Sequence, residues 1–319
     1  MKKAHKLANQ PAILTNELDV LLARCQGAYS EKTLSGYRTD LKQFRAWCDA
    51  NGEEWLPARP EAVAAFLDSE AHTKSLATVR RRFEAIKFVH RLSDLPSPTS
   101  HSEVRLALRR AARSKRQRPE QALGLTAELL EALLAACGSD LSDLRDAALV
   151  SVGYDTLCRS AELVAMRVEH LSEHSASLLV PRSKADPFGA GRTAYLSPGT
   201  VQRLHRWLEA ASLEAGPLFR GLHTAKVSEA ALDTASVRRI VKRLARRAGL
   251  AGAVVERLSG HSMRVGAAQD MMIAGIDTIG IMQAGGWRTY QVLARYVENA
   301  AAGRMHERRW QRLGQMAAA

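Results

Sequence analysis

Ser259 to Asp270 reads SGHSMRVGAAQD, and the stretch opens a helix expected over about His261 to Ala274, stopped by Gly275. His261 and Arg264 stand three residues apart, so on a helix their side chains share one face. Together they suit the grip of one anionic group. Arg offers a planar fork of donors that matches two phosphate oxygens, and His donates a hydrogen bond or moves a proton near neutral pH. Taken alone, a His and an Arg at this spacing are more often two surface residues.

Upstream, Leu157-Cys158-Arg159-Ser160-Ala161-Glu162-Leu163 places an arginine at the start of a mostly apolar helix, with Glu162 one turn on to orient a neighbour. A buried structural ion pair is the plainer explanation of those two. Downstream, Gly285-Gly286-Trp287 puts an indole N–H, a donor only, after two glycines that permit close backbone approach. Its plainer explanation is a core tryptophan after a turn. The combination is what carries information: Arg159 with Glu162, Lys184 in a hairpin turn, His261 with Arg264, Trp287, and then Tyr296 within Ala294-Arg295-Tyr296-Val297-Glu298-Asn299.

Around these residues the chain is mostly helical in pattern. Leu34, Tyr37, Leu41, Phe44 and Trp47 recur at three and four, which predicts an amphipathic helix from Glu31 to Cys48, capped by Ser30 and ended by Asn51-Gly52. Further helices are expected at about Glu61 to Ser69 and Leu76 to Leu92, making the N-terminal region all helical. Pro96 to Ser100 reads as a loop, and Arg105 to Arg118 carries seven basic residues and no acid. A linker is expected at about 113 to 122, dividing a domain 1–119 from a domain 123–319. In the second part, helices are expected at about Thr126 to Cys137, Asp143 to Asp155, from near Arg159, Thr200 to Ala211 and Thr234 to Ala248, with a short one holding Tyr296. Ser177 to Pro181 and Arg192 to Leu196 read as strands of a hairpin.

The 319 residues are enough for two hydrophobic cores, and 46% hydrophobic content excludes wholesale disorder. A formal net charge of +13 and a pI near 10.0 make nucleic acid the first partner to consider. The sequence has no uninterrupted apolar stretch of transmembrane length, and Lys2, Lys3 and Lys6 are not followed by a signal-type apolar core, so a soluble, cytoplasmic protein without a membrane partner is expected. Cys25, Cys48, Cys137 and Cys158 lack the spacing of a zinc site and read as reduced thiols.

SGHSMRVGAAQD and the IMQAGGW of Ile281 to Trp287 resemble the tyrosine recombinases, or lambda-integrase family. The likeness extends through Phe44 to Cys48, Glu54 to Leu67 and Tyr154 to Val168, and so covers most of the chain. It implies a mainly α fold: an N-terminal helical-bundle domain that binds the DNA core site, and an α-rich catalytic domain with a small β-hairpin or sheet. It also implies a site-specific recombinase that cleaves and rejoins DNA through a 3′-phosphotyrosyl intermediate, with neither metal nor nucleotide cofactor. Arg159 and Arg264 match the two arginines that clamp the scissile phosphate, and His261 and Trp287 match its further donors. Glu162 looks like the supporting acid. Lys184 sits where the family keeps a mobile lysine thought to protonate the departing 5′ oxygen, although Arg182 and Arg192 lie in or beside the same hairpin. Tyr296 aligns with the nucleophile, and Tyr290 is its rival, since it also follows Trp287.

Arg238, Arg239, Lys242, Arg243, Arg246 and Arg247 surround a narrow apolar stripe on the helix expected from Thr234, a layout suited to phosphates or a major groove. Lys42, Lys74, Arg80, Arg81, Arg82 and Lys87 are candidates for a second DNA-facing surface. A solvated basic face is the plainer reading of both sets. Resemblance further implies a specific inverted-repeat site and a homotetramer of two synapsed dimers on DNA, in which Met305 to Leu313 would pass to a neighbour with Trp310 and Leu313 as anchors. Two readings compete: a non-cutting architectural DNA-binding protein, and a type IB topoisomerase-like relaxing enzyme.

Overall fold

The computed structural model describes residues 18–115, 121–173, 176–181, 191–223, 226–298, 310–311 and 313–314. The chain divides into two compact units, Met1–Pro119 and Glu120–Ala319.

The first unit is helical. Residues 18–23 form a short helix, followed by α1 (Glu31–Asn51), α2 (Pro60–Thr73), α3 (Leu76–Leu92) and α4 (Ser102–Ser114). Ser30 caps α1 by accepting from the Thr33 N–H, and Gly52 ends it at φ 67°, a left-handed conformation that glycine adopts without steric cost. Ser75 caps α3 in the same way as Ser30 caps α1. α2 runs past Ser69 because Glu70, Ala71 and His72 contain no breaker. The segment expected as a loop at Pro96 to Ser100 includes a 3₁₀ turn, Pro98–Ser100. Phe44, Val63, Phe66, Val79 and Ile86 form one core cluster, on which α4 packs through Val104, Ala107 and Ala111. His90 is wholly buried; its Nε2 accepts from the Ala58 N–H at 2.9 Å and its Nδ1 lies 2.8 Å from the Ile86 carbonyl, while burial lowers its pKa.

The second unit comprises α5 (Ala127–Ala135), α6 (Leu141–Asp155), α7 (Ser160–Val164), α8 (Pro198–Ala210), α9 (Thr234–Arg247), α10 (Gly252–Arg257), α11 (Ser262–Ala274), α12 (Thr278–Gly285) and α13 (Tyr290–Val297). Two separate antiparallel hairpins join them: β1 (Ser177–Val180) with β2 (Arg192–Tyr195), pairing Val180 with Arg192, and β3 (Arg220–His223) with β4 (Lys226–Ala231). Four of these elements, β3, β4, α10 and α12, have no counterpart in the sequence reading. The second hairpin escapes it because RGLH and KVSEAA do not alternate towards a buried face, and neither strand has a fully buried residue. α10 and α12 are six and eight residues long, too short for a periodic stripe to declare itself.

α11 lies at the centre of this unit, with Ser262 through Gln269 all buried and contacts to α5, α6, α12 and α13. At Gly266 it tolerates no side chain. A Cβ on Gly266 would fall inside the Leu125 carbonyl group, so this glycine is what lets the chain entering α5 cross the helix. Asp270 ties the same crossing down: one carboxylate oxygen accepts from the Ala127 N–H and from the Tyr154 hydroxyl, both at 2.6 Å.

Two alanine substitutions are expected to move stability in opposite directions. Gly266→Ala meets backbone that cannot yield and destabilises by about 3 kcal/mol or more. Gly36→Ala, in open space inside α1, stabilises by about 1 kcal/mol. Chemical denaturation of both variants checks the pair, and equal shifts would contradict the close crossing at Gly266.

Candidate active site

Beyond α6 the chain turns through Thr156 and Leu157, and Leu157 takes φ 49°, a conformation costing about 1–3 kcal/mol in a residue with a side chain. That turn presents the Leu157 carbonyl to Arg264 Nη1, which also donates to the Gly285 carbonyl at 2.7 Å. Arg264 thus fastens two distant segments, the turn after α6 and the end of α12, to one guanidinium. It is completely buried, and its Nε and Nη2 have no hydrogen-bond partner. Burial lowers its pKa; Tyr296 opposes that shift and Arg159 adds to it.

Arg159 caps α7, and Glu162 answers it twice. The Arg159 N–H donates to Glu162 Oε2 at 2.9 Å, and Arg159 Nη1 donates to Oε1 at 2.6 Å. The carboxylate is nearly buried while the guanidinium remains 37% exposed. Ser160 Oγ donates to the Gly260 carbonyl at 3.0 Å, and any Cβ on Gly260 would collide with that hydroxyl. In this way the arginine turn and the SGH turn are held side by side.

α12 ends in a left-handed Gly286, φ 64°, after which the Trp287 N–H donates to the Met282 carbonyl. The indole folds back over Gly285, where a Cβ would occupy the ring itself. Arg264 Cζ lies 4.0 Å from the Trp287 ring centroid, a cation–π contact that partly offsets the missing counterion. Trp287 Nε1 is buried and without a partner. Tyr296, on α13, meets the indole edge-on at 4.9 Å between centroids, and its hydroxyl lies 2.7 Å from His261 Nε2.

His261 is pushed down to about 4, first by burial, then by Arg264 and Arg159, with Glu162 pulling the other way. At neutral pH its ring is therefore uncharged, and in the tautomer protonated on Nδ1 its Nε2 accepts the hydrogen bond of the Tyr296 hydroxyl. Arg159, Glu162, His261, Arg264, Trp287 and Tyr296 thus occupy one site. Tyr290, at the start of α13, is 62% exposed, and among the described residues no hydrogen bond ties its hydroxyl to the arginines or His261. Lys184 and Arg182 lie outside the described residues.

Sequence reading did not assign three contributors. Leu157 acts through its carbonyl, which no side-chain pattern reveals. Gln269 donates to the Tyr296 carbonyl at 3.3 Å and so steadies α13. Arg192 lines a cavity of about 400 Å³ with Arg159, Glu162, Ile279, Gly286 and Trp287.

The basic surfaces are partly consumed by internal pairing. In the first unit Arg82 is buried and ion-paired to Asp40 and Glu70, so it belongs to the core and does not present its charge to a ligand. Arg81 also reaches Asp40, and Lys87 lies 3.6 Å from Glu84, whereas Lys42, Lys74 and Arg80 are exposed. On α9, Arg243 and Arg247 grip the buried Asp146 and Asp143 of α6, a structural use the sequence did not disclose. Lys242 and Arg246 meet Glu256, while Arg238 and Arg239 are exposed, Arg239 near Asp233. Of the Arg105 to Arg118 run, Arg105, Arg109 and Arg113 are exposed at four-residue spacing and Arg110 pairs with Asp68. Trp310 and Leu313 are exposed; Met305 to Arg309 and Arg312 lie outside the described residues.

The model of the phage integrase family matches residues 124–302, and that of the phage integrase N-terminal SAM-like domain matches residues 22–92. The chain is 28% identical over 312 residues to the recombinase Cre of Escherichia phage P1, covering 92% of this chain and 90% of that protein. It is 29% identical over 290 residues to an integrase/recombinase XerD homologue of Selenomonas ruminantium, covering 86% and 84%. Among solved structures, XerH recombinase bound to a palindromic difH substrate superposes with a TM-score of 0.63 at 18% identity, covering 95% of this chain and 84% of that one. A lambda integrase dimer bound to a COC′ core site gives 0.60 at 16%, covering 94% and 83%.

The His261 environment has a measurable consequence. In the DNA-free protein its imidazole should titrate near pH 4 by NMR, against the ordinary 6.5. Because the folded value is the lower one, the neutral ring's stabilising contribution is complete above about pH 6.5 and is lost as pH falls towards 4. A midpoint near 6.5 would contradict the acceptor role.

Proposed function

This chain belongs to the phage integrase family, and from that premise we propose how it cleaves and rejoins DNA as a site-specific tyrosine recombinase, with Tyr296 as nucleophile. One observation carries the reading: beside the Tyr296 hydroxyl, Arg264 Nε and Nη2 and Trp287 Nε1 are buried donors without partners. A buried unsatisfied donor costs about 1–3 kcal/mol, and more when charged. A scissile phosphate, anionic and rich in acceptors, recovers that cost at the moment of binding.

In the proposed step the phenolic oxygen of Tyr296 attacks phosphorus, the P–O5′ bond breaks, and a 3′-phosphotyrosyl link forms. The phenolic proton passes to neutral His261 Nε2. The 5′ oxygen takes a proton from Lys184, the role that resemblance assigns to that residue. Arg159, Arg264 and Trp287 neutralise charge gathering on the equatorial oxygens. Glu162 holds Arg159 in place. The new link is again a phosphodiester, so rejoining runs the same step in reverse with a second 5′ hydroxyl and consumes no nucleotide.

The partner is double-stranded DNA, which the proposal places against Lys42, Lys74 and Arg80 of the 1–119 domain and against Arg238, Arg239, Lys242 and Arg246 of the 123–319 domain, Arg81 being held by the buried Asp40. A specific inverted-repeat site, a tetramer of two synapsed dimers and a cytoplasmic setting complete the reading. A purely architectural DNA-binding role leaves the Tyr296–His261 bond and the unpartnered donors without purpose. Relaxation alone, in the manner of type IB topoisomerases, would use the same residues in a monomer.

Wild-type protein incubated with a nicked cognate duplex should form an adduct that survives denaturant. Tyr296→Phe should bind the same DNA and form none; an adduct that persists would move the nucleophile to Tyr290. Arg238→Ala should reduce the slope of log binding constant against log salt by about 1. Arg82→Met, by contrast, should lower the unfolding midpoint and leave that slope intact.

A further inference from the structure

Arg192, the first residue of β2, carries a guanidinium whose position exceeds the needs of the hairpin. Its Nη2 donates to the Thr156 carbonyl, the last turn of α6 before the strained Leu157. Its stem runs past Gly286: a Cβ there would lie 3.3 Å from both Arg192 Cδ and Nε, close enough to press on the arginine. Its Nη1 is buried and has no hydrogen-bond partner. The side chain borders the same cavity of about 400 Å³ as Arg159, Glu162 and Trp287.

Charge balance sharpens the point. Glu162 is the carboxylate that both Arg159 and Arg192 feel, yet its two oxygens are already taken by the Arg159 N–H and Nη1. Arg192 is therefore a half-buried cation beside a second cation, with one buried donor idle. A hairpin anchor needs neither the charge nor the idle donor, since a neutral group can donate to the Thr156 carbonyl. An anion entering the cavity needs both.

We propose that Arg192 is a third phosphate-binding guanidinium of this site, contacting through Nη1 the DNA phosphate gripped by Arg159 and Arg264. This rests on the recombinase reading above and adds to it a catalytic residue. Nη2, fixed on the Thr156 carbonyl, orients the plane, and Nη1 supplies the contact. Because the guanidinium is held before DNA arrives, it neutralises charge without reorganising.

Arg192→Ala, and Arg192→Gln as a variant that keeps the stem beside Gly286 without the charge, should each slow strand cleavage about 10²-fold on an ordinary nicked duplex. Gel-shift binding should change only a few-fold. The discriminating substrate carries a methylphosphonate at the scissile position, which lacks the anionic oxygen. On it the deficit should shrink to within about 10-fold, since there is less charge for the missing guanidinium to meet. A variant as fast as wild type on the ordinary duplex, or an equal deficit on both duplexes, overturns the proposal and leaves Arg192 as an anchor. Wild-type protein that forms no Tyr296-dependent adduct would instead overturn the parent reading, so the two failures are told apart.

Discussion

The second unit is organised around a cation buried without a counterion. Arg264 has no solvent exposure, and among the described residues no carboxylate forms an ion pair with it. Its charge is met by the carbonyls of Leu157 and Gly285, by the face of Trp287 and by the ring of Tyr296 at 5.4 Å. Each of these constrains a different part of the chain. The Leu157 carbonyl is presented from a left-handed turn, Gly285 must be bare for the indole to fold over it, and Trp287 follows a glycine at positive φ. The local irregularities of two turns, at Leu157 and at Gly285 to Trp287, thus answer to one side chain. A carboxylate in place of those carbonyls would relieve Arg264 more fully, and would also occupy the face on which an anion has to land.

How much of this was legible depends on whether the signal was local. Ser30, Ser75, Gly52, Gly249 and Gly275 mark helix ends by their own chemistry, and the helices from Glu31, Leu76, Thr234 and Ser262 begin or end within a few residues of where the pattern puts them. The site residues were legible as an ordered set because their types are rare in that combination. What could not be read was pairing. Arg82 looks like Arg80 and Arg81 in the sequence, but its helical phase turns it towards Asp40 and Glu70. Arg243 and Arg247 read as a basic face until α6 supplies Asp146 and Asp143 from about a hundred residues away. Arg192 carries no local mark at all; its meaning comes from Thr156 and Gly286, each brought to it by the fold.

The net charge of +13 is consequently a poor map of the binding surface. Acids are spent where they hold helices together, on Arg81 and Arg82 in the first unit and on Arg243 and Arg247 in the second. Exposed pairs such as Arg239 with Asp233 contribute little to stability and yield readily to a competing phosphate. A pair that includes a buried carboxylate does not yield, because freeing the arginine strands the acid. Outside the candidate active site, exposure of the carboxylate therefore sorts the basic residues into structural and available ones better than exposure of the arginine does. Arg243 is itself 46% exposed and yet is bound to a partner that is wholly buried.

The same sorting bears on why the three arginines proposed to meet the phosphate differ from one another. Arg159 has an acid that fixes its orientation and leaves the outer part of its guanidinium in solvent, which suits a group that must meet DNA first. Arg264 and Arg192 are oriented by carbonyls instead, which are neutral and leave the full positive charge uncancelled. A carbonyl holds a guanidinium in place at little cost to its field, whereas a carboxylate holds it and quenches much of that field. Where a site has to concentrate positive potential on one oxyanion, anchoring by main-chain oxygen keeps the charge available, and the price is a fold that carries idle donors until the anion comes.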